Sequence, residues 1–162
     1  MISLKEKSFF LSILFMLLFQ SCSLDDGVET IDPPNFEIIG LWDLVEVNVN
    51  PPQDLDMDGT ASTNLMNEME CITGSLLIDG NLIWTFEQSV INVTAITGDL
   101  FSATCNGTVS GTGNWFSDEN EVTFSGDDIL SVLRISEGRL IDEVGEDLPG
   151  IQSFVYALRI PE

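Results

Sequence analysis

Short stretches in which apolar and polar residues alternate follow one another along the chain from Phe36 onward. Alternation with a period of two is typical of β-strands that bury one face. The dipeptides Asp79-Gly80 and Glu137-Gly138 lie between such stretches and predict tight hairpin turns. The pattern therefore predicts about nine short strands joined by short turns.

The first stretch, FEIIGLWDLVEVNV, changes phase in its middle. Trp42 and Leu44 fall on even positions. Val45, Val47 and Val49 fall on odd positions, and this change predicts a bulge or burial on both faces. In a later stretch, Leu82, Trp84 and Phe86 share one face. These two segments give the clearest inward-facing positions of the predicted sheet.

Residues 53–70 break the strand pattern, and TASTNLMNEME within them predicts one short helix with Leu65, Met66 and Met69 on one side. Short turns between consecutive strands favour a meander that closes on itself. The predicted fold is all-β, an antiparallel up-and-down β-barrel of about 8–9 strands with one short early helix. A β-sandwich is the alternative. A barrel of about eight strands either fills with side chains or holds one small ligand.

The N-terminal segment is apolar from Phe9 to Phe19 except for Ser12, and two lysines precede it. This run suits a signal peptide and is shorter than the roughly 20 residues that a transmembrane helix needs. With Cys22 directly after the run, the segment resembles a bacterial lipoprotein signal. The resemblance implies a cleaved signal peptide (residues 1–21), N-terminal acyl chains such as palmitate on Cys22, and a lipidated acidic tether (22–35). A plain secretory signal and an uncleaved anchor are the alternatives.

The chain is strongly acidic, with 27 Asp and Glu against 5 Lys and Arg. After residue 21, three arginines stand against 26 acidic residues, which gives a net charge of −23. Such a charge repels nucleic acid and anionic lipid, so we expect no nucleic-acid partner. It favours solubility, and we expect a monomer.

The chain contains no histidine. Ser-His-Asp and Cys-His arrangements are therefore impossible, and the usual general base at neutral pH is missing. Glycoside hydrolysis needs only two carboxylates, but the abundance of acidic residues makes any chosen pair uninformative. We expect no catalytic residues and no enzymatic activity.

Two cysteines remain besides Cys22, namely Cys71 and Cys105. An even pair in an exported protein predicts a disulfide. It would close a loop of about 35 residues, worth roughly 3–4 kcal/mol in the chain-entropy model. A metal site built on two cysteines lacks the histidines that would complete it.

The sequence Asp54-Leu55-Asp56-Met57-Asp58-Gly59 resembles the start of an EF-hand calcium loop. The twelfth position holds Leu65 instead of a bidentate Glu, so no complete EF-hand is expected. A partial calcium site on Asp54, Asp56 and Asp58, with Glu68 or Glu70, is one interpretation. A solvated Asx-turn loop that caps the short helix is the other. No other cofactor is expected.

Gly40-Leu41-Trp42 matches the G-x-W signature of lipocalins. Together with the lipoprotein-like signal and the order of IIGLWDLVEV, LLIDGNLIW, Cys105 and GTGNWFSDENEVTF, it makes residues 36–162 resemble the lipocalin-like lipoprotein domains of the Bacteroidetes. The resemblance implies a closed barrel with Trp42 plugging one end. It also implies an arginine, Arg159 or Arg134, that packs on Trp42.

The lipocalin resemblance leaves two functions open. The first is an outer-membrane lipoprotein of the cell envelope, on either its periplasmic or its surface side, that binds a small hydrophobic ligand. Its ligand would lie in the barrel interior, whose expected lining is Trp42, Trp84, Phe86, Phe124, Phe154 and Tyr156. The second is a non-enzymatic interaction or structural lipoprotein with a filled core and no small ligand.

Overall fold

In the part of the chain that the structure describes, nine antiparallel strands form one sheet, and eight of them close into a barrel. The computed structural model describes residues 35–145, 148 and 150–160. Its strands are β1 (Gly40–Gln53), β2 (Ser62–Asn64), β3 (Gly74–Ile78), β4 (Ile83–Ala95), β5 (Phe101–Ser117), β6 (Glu121–Gly126), β7 (Val132–Ser136), β8 (Arg139–Glu143) and β9 (Ile151–Leu158). All except β2 follow one another in chain order around the barrel, because β9 pairs back with β1.

The predicted antiparallel barrel is therefore confirmed, and the sandwich is wrong. The short strand β2 pairs with the far half of β1 and lies outside the barrel wall. The predicted signal peptide, Cys22 and residues 22–34 of the tether lie outside the described residues, so these predictions stay predictions.

The phase change in β1 is a β-bulge. Leu44 pairs with Tyr156 on β9, whereas Glu46 pairs with Val155, so Val45 is an extra residue. Before the bulge Leu44 is buried, and after it Val47 is fully buried. The bulge thus changes the inward-facing positions from even to odd residue numbers, so the apolar side chains on both sides of it point into the barrel.

The predicted early helix is wrong. Three of its residues form β2, and the next three, Leu65–Asn67, form a 3-10 turn. The Asn64 side chain accepts hydrogen bonds from the backbone N–H groups of Val47 and Met66, which ties the segment to β1 and caps the turn. Asparagine side chains compete for backbone groups in this way and disfavour a helix interior. No helix among the described residues is long and apolar enough to cross a membrane.

The two predicted hairpins differ in length. Glu137 and Gly138 join β7 to β8 directly, both with positive φ (52° and 73°), as a two-residue hairpin requires. The other hairpin loop is longer and runs from Asp79 to Leu82, because the Asp79 carboxylate accepts hydrogen bonds from the N–H groups of Asn81 and Ile83. As a result Leu82 is 38% exposed in the loop instead of facing inward.

Strands β4 and β5 extend well beyond their neighbours. Their pairing with β3 and β6 involves residues 84–88 and 113–117, respectively. The remaining parts, 89–95 of β4 and 101–112 of β5, pair only with each other among the described strands, and we call them the β4–β5 ribbon. Ile91 and Val93 of the ribbon pack on the hydrophobic core. A disulfide joins Cys105 in the ribbon to Cys71, as predicted.

Candidate functional site: the barrel interior and its surroundings

The barrel interior holds all six aromatic residues expected to line it. Their exposed fractions do not exceed 6%, and they belong to one core cluster (Trp42, Trp84, Phe86, Phe124, Phe154, Tyr156). The ring of Trp84 lies edge-on to Phe124 at a centroid distance of 5.5 Å, and Phe86 lies edge-on to Tyr156 at 6.3 Å. Such edge-to-face contacts are favourable, so these rings pack on one another.

The polar atoms of these aromatic residues have partners inside the protein. The indole N–H of Trp42 donates to the carbonyl oxygen of Ile38 at 2.9 Å, and that of Trp84 donates to Ser125 at 3.1 Å. The hydroxyl of Tyr156 donates to Oε1 of Gln88 at 2.6 Å. The aromatic interior therefore offers a ligand none of these three donors without the loss of an internal hydrogen bond.

One acidic side chain that sequence reasoning missed also faces the interior. Asp142 pairs with Phe154 on β9, two residues from the inward-facing Leu140. Burial raises the pKa of the Asp142 carboxyl, and the charge of Glu143 raises it further. Burial also raises the pKa of Tyr156, with the charge of Asp142 as a second cause. The alternation in RLIDEV was the signal that could have placed Asp142 inside.

The two ends of the barrel are closed differently. At the end where β1 begins, Trp42 is buried beside the 3-10 turn Phe36–Ile38. There Asn35 bonds to Ser117 through two hydrogen bonds of 3.2 and 3.1 Å. At the other end, the tip of the β4–β5 ribbon is fixed to the last residue of β1, Gln53.

Gln53 fastens the ribbon tip through its carboxamide. The side chain is 2% exposed. Its Nε2 donates to the carbonyl oxygens of Pro51 at 2.9 Å and Asp99 at 3.1 Å, and its Oε1 accepts from the N–H of Phe101 at 3.0 Å. These bonds join β1 to the ribbon across the end of the barrel.

The predicted packing of an arginine on Trp42 is wrong. Arg159 instead forms a bidentate ion pair with Asp43. Its Nε donates to Oδ2 of Asp43 at 2.8 Å, and its Nη2 donates to Oδ1 at 2.5 Å. The bonds to Arg159 lower the pKa of the Asp43 carboxyl. Arg134 pairs with Glu143 at 2.7 Å. The aspartate at position 43 and the glutamate at position 143 face outward, so both arginines are drawn to the outer wall instead of the plug.

The outer wall also carries shallow cavities with mixed polar linings. One of about 350 Å³ lies beside the Asp43–Arg159 pair and Glu87. Two others, of about 430 and 300 Å³, share Asn48, Glu143 and Ser153. These cavities lie outside the aromatic interior, so they do not provide the apolar container that a hydrophobic ligand requires.

The Asp54–Asp58 loop brings its three carboxylates together. One oxygen of each lies within 4.8 Å of the others, and all three residues are exposed. These carboxylates also accept backbone N–H groups: Asp54 from Gly59, Asp56 from Asp58, and Asp58 from Thr60. This is the Asx-turn geometry of the second interpretation. Calcium binding stays a prediction, which calorimetric titration with calcium would test.

Comparison with family models, curated proteins and solved structures finds no match to this chain.

Proposed function

We propose that this chain is a lipid-anchored protein of the outer membrane whose barrel, lipocalin-like in form, is a solid scaffold for contacts with other molecules. The observation that supports the proposal is the packing of the interior aromatic residues. They are almost fully buried, two pairs of their rings lie edge-on to each other, and the polar atoms of Trp42, Trp84 and Tyr156 bond to the protein. In this proposal the outer surface carries the function, and no small hydrophobic ligand is held inside.

The physical case against an internal ligand is the cost of making room for it. Cavities that bind small molecules measure roughly 300–1,000 Å³ and are mostly apolar. To form one here, Trp84 and Phe86 would have to leave positions in which they are 0% and 3% exposed. Displacing a buried aromatic ring costs roughly 3–5 kcal/mol, by analogy with truncation of such residues. The contacts that a ligand makes inside the barrel would have to contribute more free energy than that cost for the ligand to bind.

The anchoring part of the proposal rests on the sequence around Cys22. Two or three acyl chains attached to one residue give stable membrane binding, because each buried methylene adds about 0.8 kcal/mol. We expect the wild-type chain in the membrane fraction of its host and Cys22→Ser in the soluble or precursor fraction. Ser23→Ala is the matched control and should fractionate like the wild type. Equal fractionation of Cys22→Ser and wild type would contradict lipid anchoring at this residue.

The filled-core part is tested by native mass spectrometry of the chain purified from its host in mild detergent. We expect the mass of the acylated polypeptide with no further small molecule. An apolar molecule of constant mass that is released on denaturation would overturn the proposal in favour of ligand carriage. A chelator-sensitive increment of one calcium ion would add a structural ion at the Asp54–Asp58 loop.

A further inference from the structure

Asn106 is the only asparagine of the chain that precedes a glycine. Asn106 and Gly107 are both exposed on the β4–β5 ribbon. Apart from the chain neighbours of Gly107, no described atom lies within 4 Å of the place where a Cβ at this position would stand. The peptide bond between the two residues is therefore open to solvent and is not crowded by other parts of the described chain.

The two residues lie at a bulge in β5. The register of β5 against β4 shifts at Asn106 and Gly107, which together lie opposite the single residue Val90. Such a bulge leaves its extra residue unpaired and disrupts the ladder of hydrogen bonds locally. Gly107 has a φ of 79°, in the left-handed region that glycine adopts without steric cost. The backbone at Asn106 is therefore held less firmly than in the regularly paired parts of β5.

The Asn106 side chain is also free to turn toward the backbone, because its carboxamide makes no hydrogen bond among the described residues. The two aspartates that precede a glycine in the described chain are held instead. Asp58 accepts the N–H of Thr60 at 2.7 Å, and Asp79 accepts the N–H of Ile83 at 2.9 Å. Their negative charge also makes these carboxylates weaker electrophiles than a carboxamide. Of the three side chains, that of Asn106 therefore has both the freedom and the chemistry to react with the next backbone nitrogen.

We propose that Asn106 is a site of spontaneous deamidation in the folded protein. The backbone nitrogen of Gly107 attacks Cγ of Asn106, and a bond forms between these two atoms. The bond from Cγ to the side-chain amide nitrogen breaks, and that nitrogen leaves as ammonia with the proton that the Gly107 N–H loses. Water then opens the resulting succinimide ring, its hydroxyl adding to one of the two carbonyl carbons and its proton to the ring nitrogen. The products are aspartate and isoaspartate, and nothing is oxidised or reduced.

Both products place a negative charge in an uncharged part of the protein. Between Glu87 and Asp118, the only charged residue is Asp99, at the ribbon tip. Isoaspartate also carries the Cβ of Asn106 into the main chain, next to the disulfide-bonded Cys105. The longer backbone enlarges the bulge and weakens the pairing of β5 with β4 around it. Deamidation thus gives the ribbon a charge and a looser backbone that increase with the age of the chain.

The experiment uses the full chain purified from its host in mild detergent and incubated folded at neutral pH. Samples taken over time are reduced and digested at mildly acidic pH, which prevents deamidation during the digestion. Mass spectrometry of the peptides then measures, for each asparagine, the mass increase that accompanies replacement of the amide NH2 by OH.

The expected result is a difference in rate between asparagines of the same ribbon. We expect Asn106 to react at least about tenfold faster than Asn92 or Asn114, a difference of about 1.4 kcal/mol in activation free energy. These two precede Val93 and Trp115, whose side chains hinder the attacking nitrogen. Equal rates at the three asparagines would overturn the proposal. Reaction of Asn106 only after unfolding in urea would also overturn it, because the fold would then block the attack.

A pair of matched variants tests the assignment to Asn106. In Asn106→Gln the attack would have to form a six-membered ring, which closes more slowly, so we expect this variant to lose the more acidic species that ion-exchange chromatography separates from aged wild-type protein. Asn92→Gln is the same change at another exposed position of the ribbon and should age like the wild type. Hydrogen exchange around the bulge should be faster in aged than in fresh wild type and unchanged by age in Asn106→Gln. The same acidic species in aged Asn106→Gln would overturn the assignment.

Discussion

Replacing Gln53 by leucine tests how the β4–β5 ribbon is held over the end of the barrel. The side chain is 2% exposed, and leucine has nearly the same volume, so the change removes hydrogen bonds with little loss of packing. Three hydrogen bonds are lost, to Pro51, Asp99 and Phe101, with lengths of 2.9, 3.1 and 3.0 Å.

The expected loss of stability follows from these bonds. Each intramolecular hydrogen bond contributes about 1 kcal/mol net, so the three amount to about 3 kcal/mol. Burial of the more apolar leucine side chain offsets about 1 kcal/mol of this loss of stability. We therefore expect Gln53→Leu to lower the free energy of unfolding by about 2 kcal/mol, or to open the ribbon tip locally at a smaller global cost.

Urea unfolding and hydrogen exchange together measure both outcomes. The midpoint of unfolding reports the global loss, and exchange of the Phe101 amide reports local opening. Gln152→Leu is the matched control, because Gln152 lies exposed on β9 and its side chain makes no hydrogen bond among the described residues. If Gln53→Leu unfolds like the control and its Phe101 amide remains protected, the carboxamide does not fasten the ribbon.

Three further results are expected from single sites. Serine at both Cys71 and Cys105 should lower the free energy of unfolding by roughly 3–4 kcal/mol, measured by urea with and without reductant. Asp142→Asn should stabilise the protein at pH 7: because the pKa of Asp142 is raised in the folded state, its charged form is destabilising, and the gain should shrink as pH falls through that pKa. Asp128→Asn, the same change at an exposed position, is the matched control in parallel denaturation curves. Phe86→Ala should cost roughly 3–5 kcal/mol and create binding of an apolar fluorescent dye that the wild type lacks; dye binding by both proteins would argue for a pre-existing internal cavity.

Strand periodicity was sufficient to predict most of the barrel. The phase change at Val45 and the hairpin at Glu137-Gly138 were visible because they depend on neighbouring residues only. The helix prediction over residues 60–70 failed because Asn64 bonds to Val45 and Val47 of β1, and local pattern does not contain such contacts between segments. Long-range contacts of this kind override helix propensity.

The functional residues were harder to predict for the same reason. The sequence identified the aromatic side chains that face inward, but whether they leave a cavity depends on how rings from different strands pack. The resemblance implied that Arg159 or Arg134 packs on Trp42. Arg159 instead binds Asp43, which follows that tryptophan in sequence but faces outward. The length of the β4–β5 ribbon could not be predicted, because it depends on where β3 and β6 stop pairing with β4 and β5.

Closure of the barrel by β1 and β9 also has a kinetic consequence. Trp42 pairs with Leu158, so the first and last strands of the wall must find each other across nearly the whole domain. Pairing over such a separation makes folding slow relative to domains built from local contacts. Until β9 is available, β1 and β8 each present an open edge. Stop codons before Ile151 should therefore produce chains that aggregate or are degraded, even though most of the buried core residues are already encoded.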